Sequence, residues 1–150
     1  IDVLAGKNPF GVSDHASLER YLATVFHNRD ARPWVPWPAA DIYIAQRRRD
    51  AAFEQGVLDR IGRGDERFLP GAEAANISQP ALLLWCREDK VIDASAMTLY
   101  AARIPQASQV LLEGCGHMSL MERPGETAEA VAMLIERGAP GAAPPTGDTQ

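Results

Sequence analysis

The chain has 150 residues, enough for one ordinary domain with a real core. Fifteen Lys and Arg against twenty Asp and Glu leave a net charge of −5, which argues against a nucleic-acid partner and gives no attraction to anionic membranes. Apolar residues at 46% and charged residues at 23% exclude wholesale disorder, apolar runs such as 80–86 are far short of the ~20 residues of a membrane span, and two cysteines make neither a disulfide scaffold nor a four-thiolate zinc site.

The chain starts Ile1-Asp2-Val3-Leu4, with no Met and no basic-then-apolar signal segment. It is therefore expected to begin inside something longer, or to have been processed. Asn8-Pro9-Phe10-Gly11 is turn chemistry. Ser13 or Asp14 then caps a helix whose apolar positions, Leu18, Tyr21, Leu22, Val25 and Phe26, share one helical face. Prolines at 33, 36 and 38, with Trp34 and Trp37 between them, forbid a helix over 32–38. Pro38 suits the first turn of a second helix over 39–55, with Ile42, Ala45, Ala52 and Phe53 inward. Gly56 is expected to end it, followed by a shorter helix over 57–61. Arg47-Arg48-Arg49 reads as a solvated face of that second helix.

Leu69-Pro70-Gly71 reads as a turn and a domain boundary. The apolar run 80–85 is short, continuous and opened by Pro80, which fits a buried parallel strand. Asp93 or Ser95 caps a helix through Arg103, and 109–113 is the second strand. Pro124 opens a last helix with Ala130, Val131, Leu134 and Ile135 as its apolar face and Gly138 beyond it. Residues 139–150 hold no large apolar side chain and read as a floppy tail. Strand, helix, strand, helix at this spacing predicts an α/β fold with a parallel sheet, whose ligands sit at the carboxyl ends of the strands.

The residues with chemistry fall there. Cys86-Arg87-Glu88-Asp89 follows the first strand, and Gly114-Cys115-Gly116-His117 follows the second. Neighbouring strands lie ~5 Å apart, so an acid after one and a His after the next can meet above the sheet edge. A carboxylate on the Nδ1–H of an imidazole fixes the tautomer and frees the other nitrogen to take a proton from a nucleophile. Asp89 is the first choice for that acid, ahead of Asp93 and Glu88. Cys86 and Cys115 each follow a strand; a disulfide between them is one option, and two buried free thiols are the expected state. His15 and His27 read as solvated or structural.

The run from Pro80 to Trp85, then Asp89, Val91, Asp93 and Ser95, then Gly114-Cys115-Gly116-His117, then Glu122-Arg123-Pro124, resembles the C-terminal part of α/β-hydrolases. The likeness is to bacterial lipases and monoacylglycerol-lipase-like esterases, strong over roughly 77–136 and weaker over 8–68. It implies a partial α/β-hydrolase fold: a helical cap, or lid, over 1–70, the last parallel strands and helices over 71–138, and the tail over 139–150. It also implies that Asp89 and His117 are the acid and base of a Ser-acid-His triad, and that the chain is part of a serine hydrolase of carboxylic, above all lipid or acylglycerol, esters. Trp34, Trp37 and Met118 are then candidates for substrate contact. No metal and no organic cofactor is implied. The family usually has Gly where this chain has Cys86, and a positive φ there would strain a Cys.

The nucleophile is missing. In this fold the serine sits on a Gly-x-Ser-x-Gly elbow before the acid, yet none of Ser13, Ser17, Ser78, Ser95, Ser108 and Ser119 has Gly at both flanking positions, and no Gly-rich oxyanion loop is present. The N-terminal half of the same hydrolase is therefore the expected partner, bringing the Ser and the oxyanion hole, and this chain alone is expected to be inactive. Epoxide, haloalkane and carbon–carbon bond hydrolases share the same Asp-and-His ending and stay open as alternatives. So does a non-catalytic remnant that binds a ligand or partner. The residues leave the compartment open between cytoplasm and cell envelope.

Overall fold

The computed structural model describes residues 3–138, so the tail over 139–150 lies outside the described residues. The element order is α1 (His15–Val25), α2 (Ala39–Gly62), α3 (Leu69–Glu73), β1 (Leu82–Cys86), α4 (Ser95–Ala101), β2 (Ser108–Leu112), α5 (Ser119–Glu122) and α6 (Pro124–Gly138), with single 3-10 turns at Arg29–Ala31, Asp65–Phe68 and Ala74–Asn76.

Asp14, not Ser13, caps α1. Its carboxylate accepts the Ser17 N–H at 2.7 Å, and the Ser17 hydroxyl oxygen accepts the Asp14 N–H at 2.9 Å, a reciprocal capping box. The Ser17 N–H holds the Asp14 carboxyl below its ordinary pKa, so the cap is charged at neutral pH and is lost only as pH falls through that lowered value. Leu18, Leu22, Val25 and Phe26 are buried as their spacing predicts, and they join Val12, Ala40 and Ile44 in the core under α1 and α2.

Helix α2 departs from the reading of the sequence in two ways. It runs through Gly56 to Gly62 without a break, because a Gly costs a helix only about 1 kcal/mol and the partly buried Val57 and Leu58 pack beyond it. Its inner face is also rotated. Ile42, Ala45, Ala52 and Phe53 are exposed, and Ala40, Tyr43, Ile44 and Arg47 turn inward instead. Arg47 is thus not on the solvated face with Arg48 and Arg49. Its guanidinium lies 5.2 Å from the Tyr21 ring centre and 5.8 Å from that of Tyr43, donates to the Phe10 carbonyl at 2.9 Å, and pairs with Glu54. Burial opposes that charge, but Tyr43 and Glu54 beside it outweigh burial and raise the Arg47 pKa. A cation held by two rings and a carboxylate outcompetes the apolar stripe that hydropathy alone would choose.

Leu69-Pro70-Gly71 is helical rather than a turn, with Pro70 in the first turn of α3, where its missing N–H has no partner to lose. In α6 the inward stripe is Thr127, Ala130 and Leu134, while Val131 and Ile135 face solvent.

β1 and β2 pair in parallel, in register from Leu82 opposite Ser108 to Cys86 opposite Leu112. Helices α4 and α6 pack against them. Leu82 to Trp85 are half-buried where a buried strand was expected, because among the described residues the sheet has two strands and both its edges are open. Since Cys86 and Leu112 end the strands side by side, the loops beyond them leave the sheet at the same edge. Among the described residues no helix is long and apolar enough to cross a membrane.

Candidate active site

The loop after β1 is shaped by Asp89. One carboxylate oxygen accepts the N–H of Val91 at 2.7 Å and of Ile92 at 3.0 Å, folding the chain back over its own side chain. The other oxygen lies 3.0 Å from Nδ1 of His117. The Asp89 side chain is 6% exposed and that of His117 is 38% exposed, so a sheltered acid holds a ring whose far side reaches solvent. With the proton on Nδ1, the ring donates to Asp89 and keeps Nε2 free to accept.

Asp93 serves α4 instead, accepting the Ser95 N–H at 2.9 Å, and the Ser95 hydrogen bonds hold its carboxyl below the usual range. Glu88 turns to the loop after β2, where Oε2 accepts the N–H of Gly114 at 2.9 Å and of Cys115 at 3.3 Å. The acid–His loop pair is thus tied at its base by one carboxylate and at its tip by another.

Each glycine in Gly114-Cys115-Gly116 has its own reason. Gly114 sits at φ +69°, a left-handed turn that a side chain would strain. At Gly116 a Cβ would come within 2.8 Å of the His27 nitrogen and 3.1 Å of the Val25 carbonyl oxygen, so this loop meets the end of α1 backbone to backbone.

Cys86 and Cys115 are joined in a disulfide, which corrects the expectation of two free thiols. Cys86 ends β1 opposite Leu112, and the loop beyond β2 brings Cys115 to a Cα–Cα distance of 5.3 Å from it, within the range a bridge requires. Residue spacing alone does not reveal that closeness. Among the described residues no non-Gly residue has positive φ, so Cys86 carries none of the strain feared for it.

Met118, the residue after His117, lines an apolar cavity of about 400 Å³. Leu22, Val25 and Phe26 of the α1 segment line it together with Val35, Met118 and Met121. Tyr21 and Tyr43 also border it, and burial pushes the Tyr21 hydroxyl above its ordinary pKa. Of the three candidates for substrate contact, Met118 lines this cavity. Trp34 and Trp37 do not line this cavity; they are 85% and 76% exposed. Trp34 borders a separate hollow with His15, Glu19 and Arg32. The structural work of Glu88 and of Glu122, whose carboxylate accepts the Gly116 N–H at 2.8 Å, does not follow from residue spacing. Glu122 was visible only as part of a motif.

Compared with known proteins, residues 18–124 match the family described as alpha/beta hydrolase fold. The chain is 36% identical over 84 residues to monoacylglycerol lipase ABHD6 of Mus musculus, which covers 56% of this chain and 25% of that protein. It is 25% identical over 99 residues to Lipase 1 of Psychrobacter immobilis, covering 65% of this chain and 30% of that protein. Among solved structures, a membrane phospholipase A described as a bacterial virulence factor superposes with a TM-score of 0.69 at 27% identity, covering 92% of this chain and 44% of that one. The matched region thus spans a quarter to under a half of the length of these relatives.

Proposed function

The chain belongs to the alpha/beta hydrolase fold family, and from that premise we propose that it supplies the acid–base part of a serine hydrolase of lipid or acylglycerol esters. The observation that carries this reading is the Asp89–His117 pair at 3.0 Å, followed directly in the chain by Met118, which lines an apolar cavity of about 400 Å³. The lipase relatives support the ester class.

In the proposed mechanism a serine from the N-terminal part of the same hydrolase attacks the ester carbonyl. His117 Nε2 takes the serine proton, and Asp89 holds the ring in that tautomer and stabilises the imidazolium. His117 then protonates the departing alcohol, and later activates the water that releases the acid. The acyl chain lies against Met118, Met121, Val25 and Phe26, whose apolar surface favours a hydrocarbon over a polar group. Trp34 and Trp37, exposed on the proline-bound segment that also carries the cavity residue Val35, meet the lipid before it reaches the cavity. The disulfide supports an oxidising compartment for the enzyme over the reducing cytoplasm.

Fluorophosphonate labelling combined with a p-nitrophenyl ester assay tests the division of labour. The 150-residue chain alone is expected to take no label and to turn over no ester; joined to the region bearing the nucleophile, it does both. Triad-dependent turnover by the isolated chain overturns the reading. A second check uses chain length. Met121→Trp narrows the cavity from its exposed side and is expected to move the preferred ester toward shorter acyl chains, whereas an unchanged preference across a p-nitrophenyl ester series removes the cavity from substrate binding.

A further inference from the structure

Glu122 is buried, at 7% exposure, and the mechanism above makes no use of it. Its hydrogen-bond partners are two backbone N–H groups far apart in sequence. Oε1 accepts from Gly116 at 2.8 Å, and Oε2 accepts from Asn28 at 2.6 Å. Gly116 directly precedes His117. Asn28 lies two residues beyond Phe26, which lines the cavity. The two backbones these N–H groups belong to are already in contact, as the space at Gly116 attests. Hydrogen bonds to an ionised acceptor are about twice as strong as neutral ones, and a buried carboxylate that lost them would be left unpaired.

Building on the assignment of His117 as the base, we propose that Glu122 is a positioning residue that acts through the backbone. One oxygen holds the peptide that aims His117, and the other ties that peptide to the end of α1. The base and the apolar wall of the cavity then keep one relative placement. Short α5 serves both, since it carries Met121 into the cavity wall and Glu122 into the junction beneath it.

Glu122→Gln in the intact enzyme separates positioning from mere stability. Gln has nearly the same shape, but its one carbonyl oxygen serves one N–H while its NH₂ faces the other donor. The expected result is a 10- to 100-fold fall in kcat with KM for a short ester changed less than about twofold. Two readouts need no activity. The Nδ1–H proton resonance of His117 is expected to broaden, and the amides of Asn28 and Gly116 to exchange at least about tenfold faster. A variant that only melts earlier, with kcat and the His117 resonance unchanged, overturns the proposal. If the wild-type enzyme hydrolyses no ester, the functional reading fails on its own, and the resonance and the two amides still decide the role of Glu122. Should Glu122→Gln fail to fold, Asn28→Pro removes the α1-side donor at a φ of −77°, which proline adopts. It is expected to raise KM for long esters with kcat nearly unchanged, and unaltered KM values overturn the coupling.

Discussion

Asp89→Asn is expected to lower kcat of the complete enzyme by about 10⁴-fold, the cost found when a triad acid is neutralised without changing its shape. The reason lies in which oxygen does what. One side of the carboxylate accepts the Val91 and Ile92 N–H groups, and these two bonds keep an oxygen there in the Asn variant. The amide nitrogen is then forced onto the other side, 3.0 Å from His117 Nδ1. Two donors cannot face each other, so the ring surrenders its Nδ1 proton and carries it on Nε2 instead, the nitrogen that takes the serine proton in the proposed mechanism. Base and tautomer are lost together, while the loop keeps its shape. Thermal stability should therefore stay within a few degrees, and His117→Ala should abolish turnover with equally little effect on melting, because that ring is 38% exposed. Kinetics on a fluorophosphonate-reactive preparation, paired with a melting curve, reads both quantities. A kcat within tenfold of wild type for Asp89→Asn would remove this carboxylate from the reaction.

The largest effect on stability is expected from removing the disulfide. Cys86 and Cys115 are 29 residues apart in sequence, and closing a loop of that size restricts the unfolded chain by about 3–4 kcal/mol in the chain-entropy model. Replacing both with Ala is the clean test, since both sites are buried and Ser would bury a hydroxyl. For a chain of this length the loss corresponds to a fall in Tm of roughly 10 °C. Reductant should bring the wild-type Tm down to that of the double variant and leave the variant unmoved. Two titratable thiols in the denatured, unreduced protein would contradict the bridge. The bond also sits at the feet of both functional loops, three residues before Asp89 and two before His117, so its removal loosens the strand ends that place the pair.

Much of this arrangement was legible from residues alone, because it rests on local rules. The spacing of Leu18, Leu22, Val25 and Phe26 selects one helical face regardless of what it packs against, and prolines 33, 36 and 38 exclude a helix whatever surrounds them. The two strands, the acid after one and the His behind a Gly-Cys-Gly turn after the next come from chain order and the geometry of parallel sheets. The face of α2 was not legible. Ile42 and Phe53 are more apolar than Arg47, yet Arg47 goes inside because two tyrosines and Glu54 from the same helix and its neighbour receive its charge.

The same distinction holds at the site. Sequence by itself determined which groups stand at the strand ends, an acid, an imidazole, two thiols and two further carboxylates, because chain order sets which residues come after each strand. Tertiary structure alone decided their partners. The loop beyond β2 brought Cys115 back to Cys86 and joined two residues expected to stay free thiols. The direction of each loop sent Glu88 to the Gly114 and Cys115 amides and left Asp89 for His117. The close approach of α1 to Gly116 gave Glu122 two donors 94 and 6 residues away. Hydrogen bonds and disulfides depend on distances of a few ångströms across the fold, and spacing along a chain fixes such distances only within a single element.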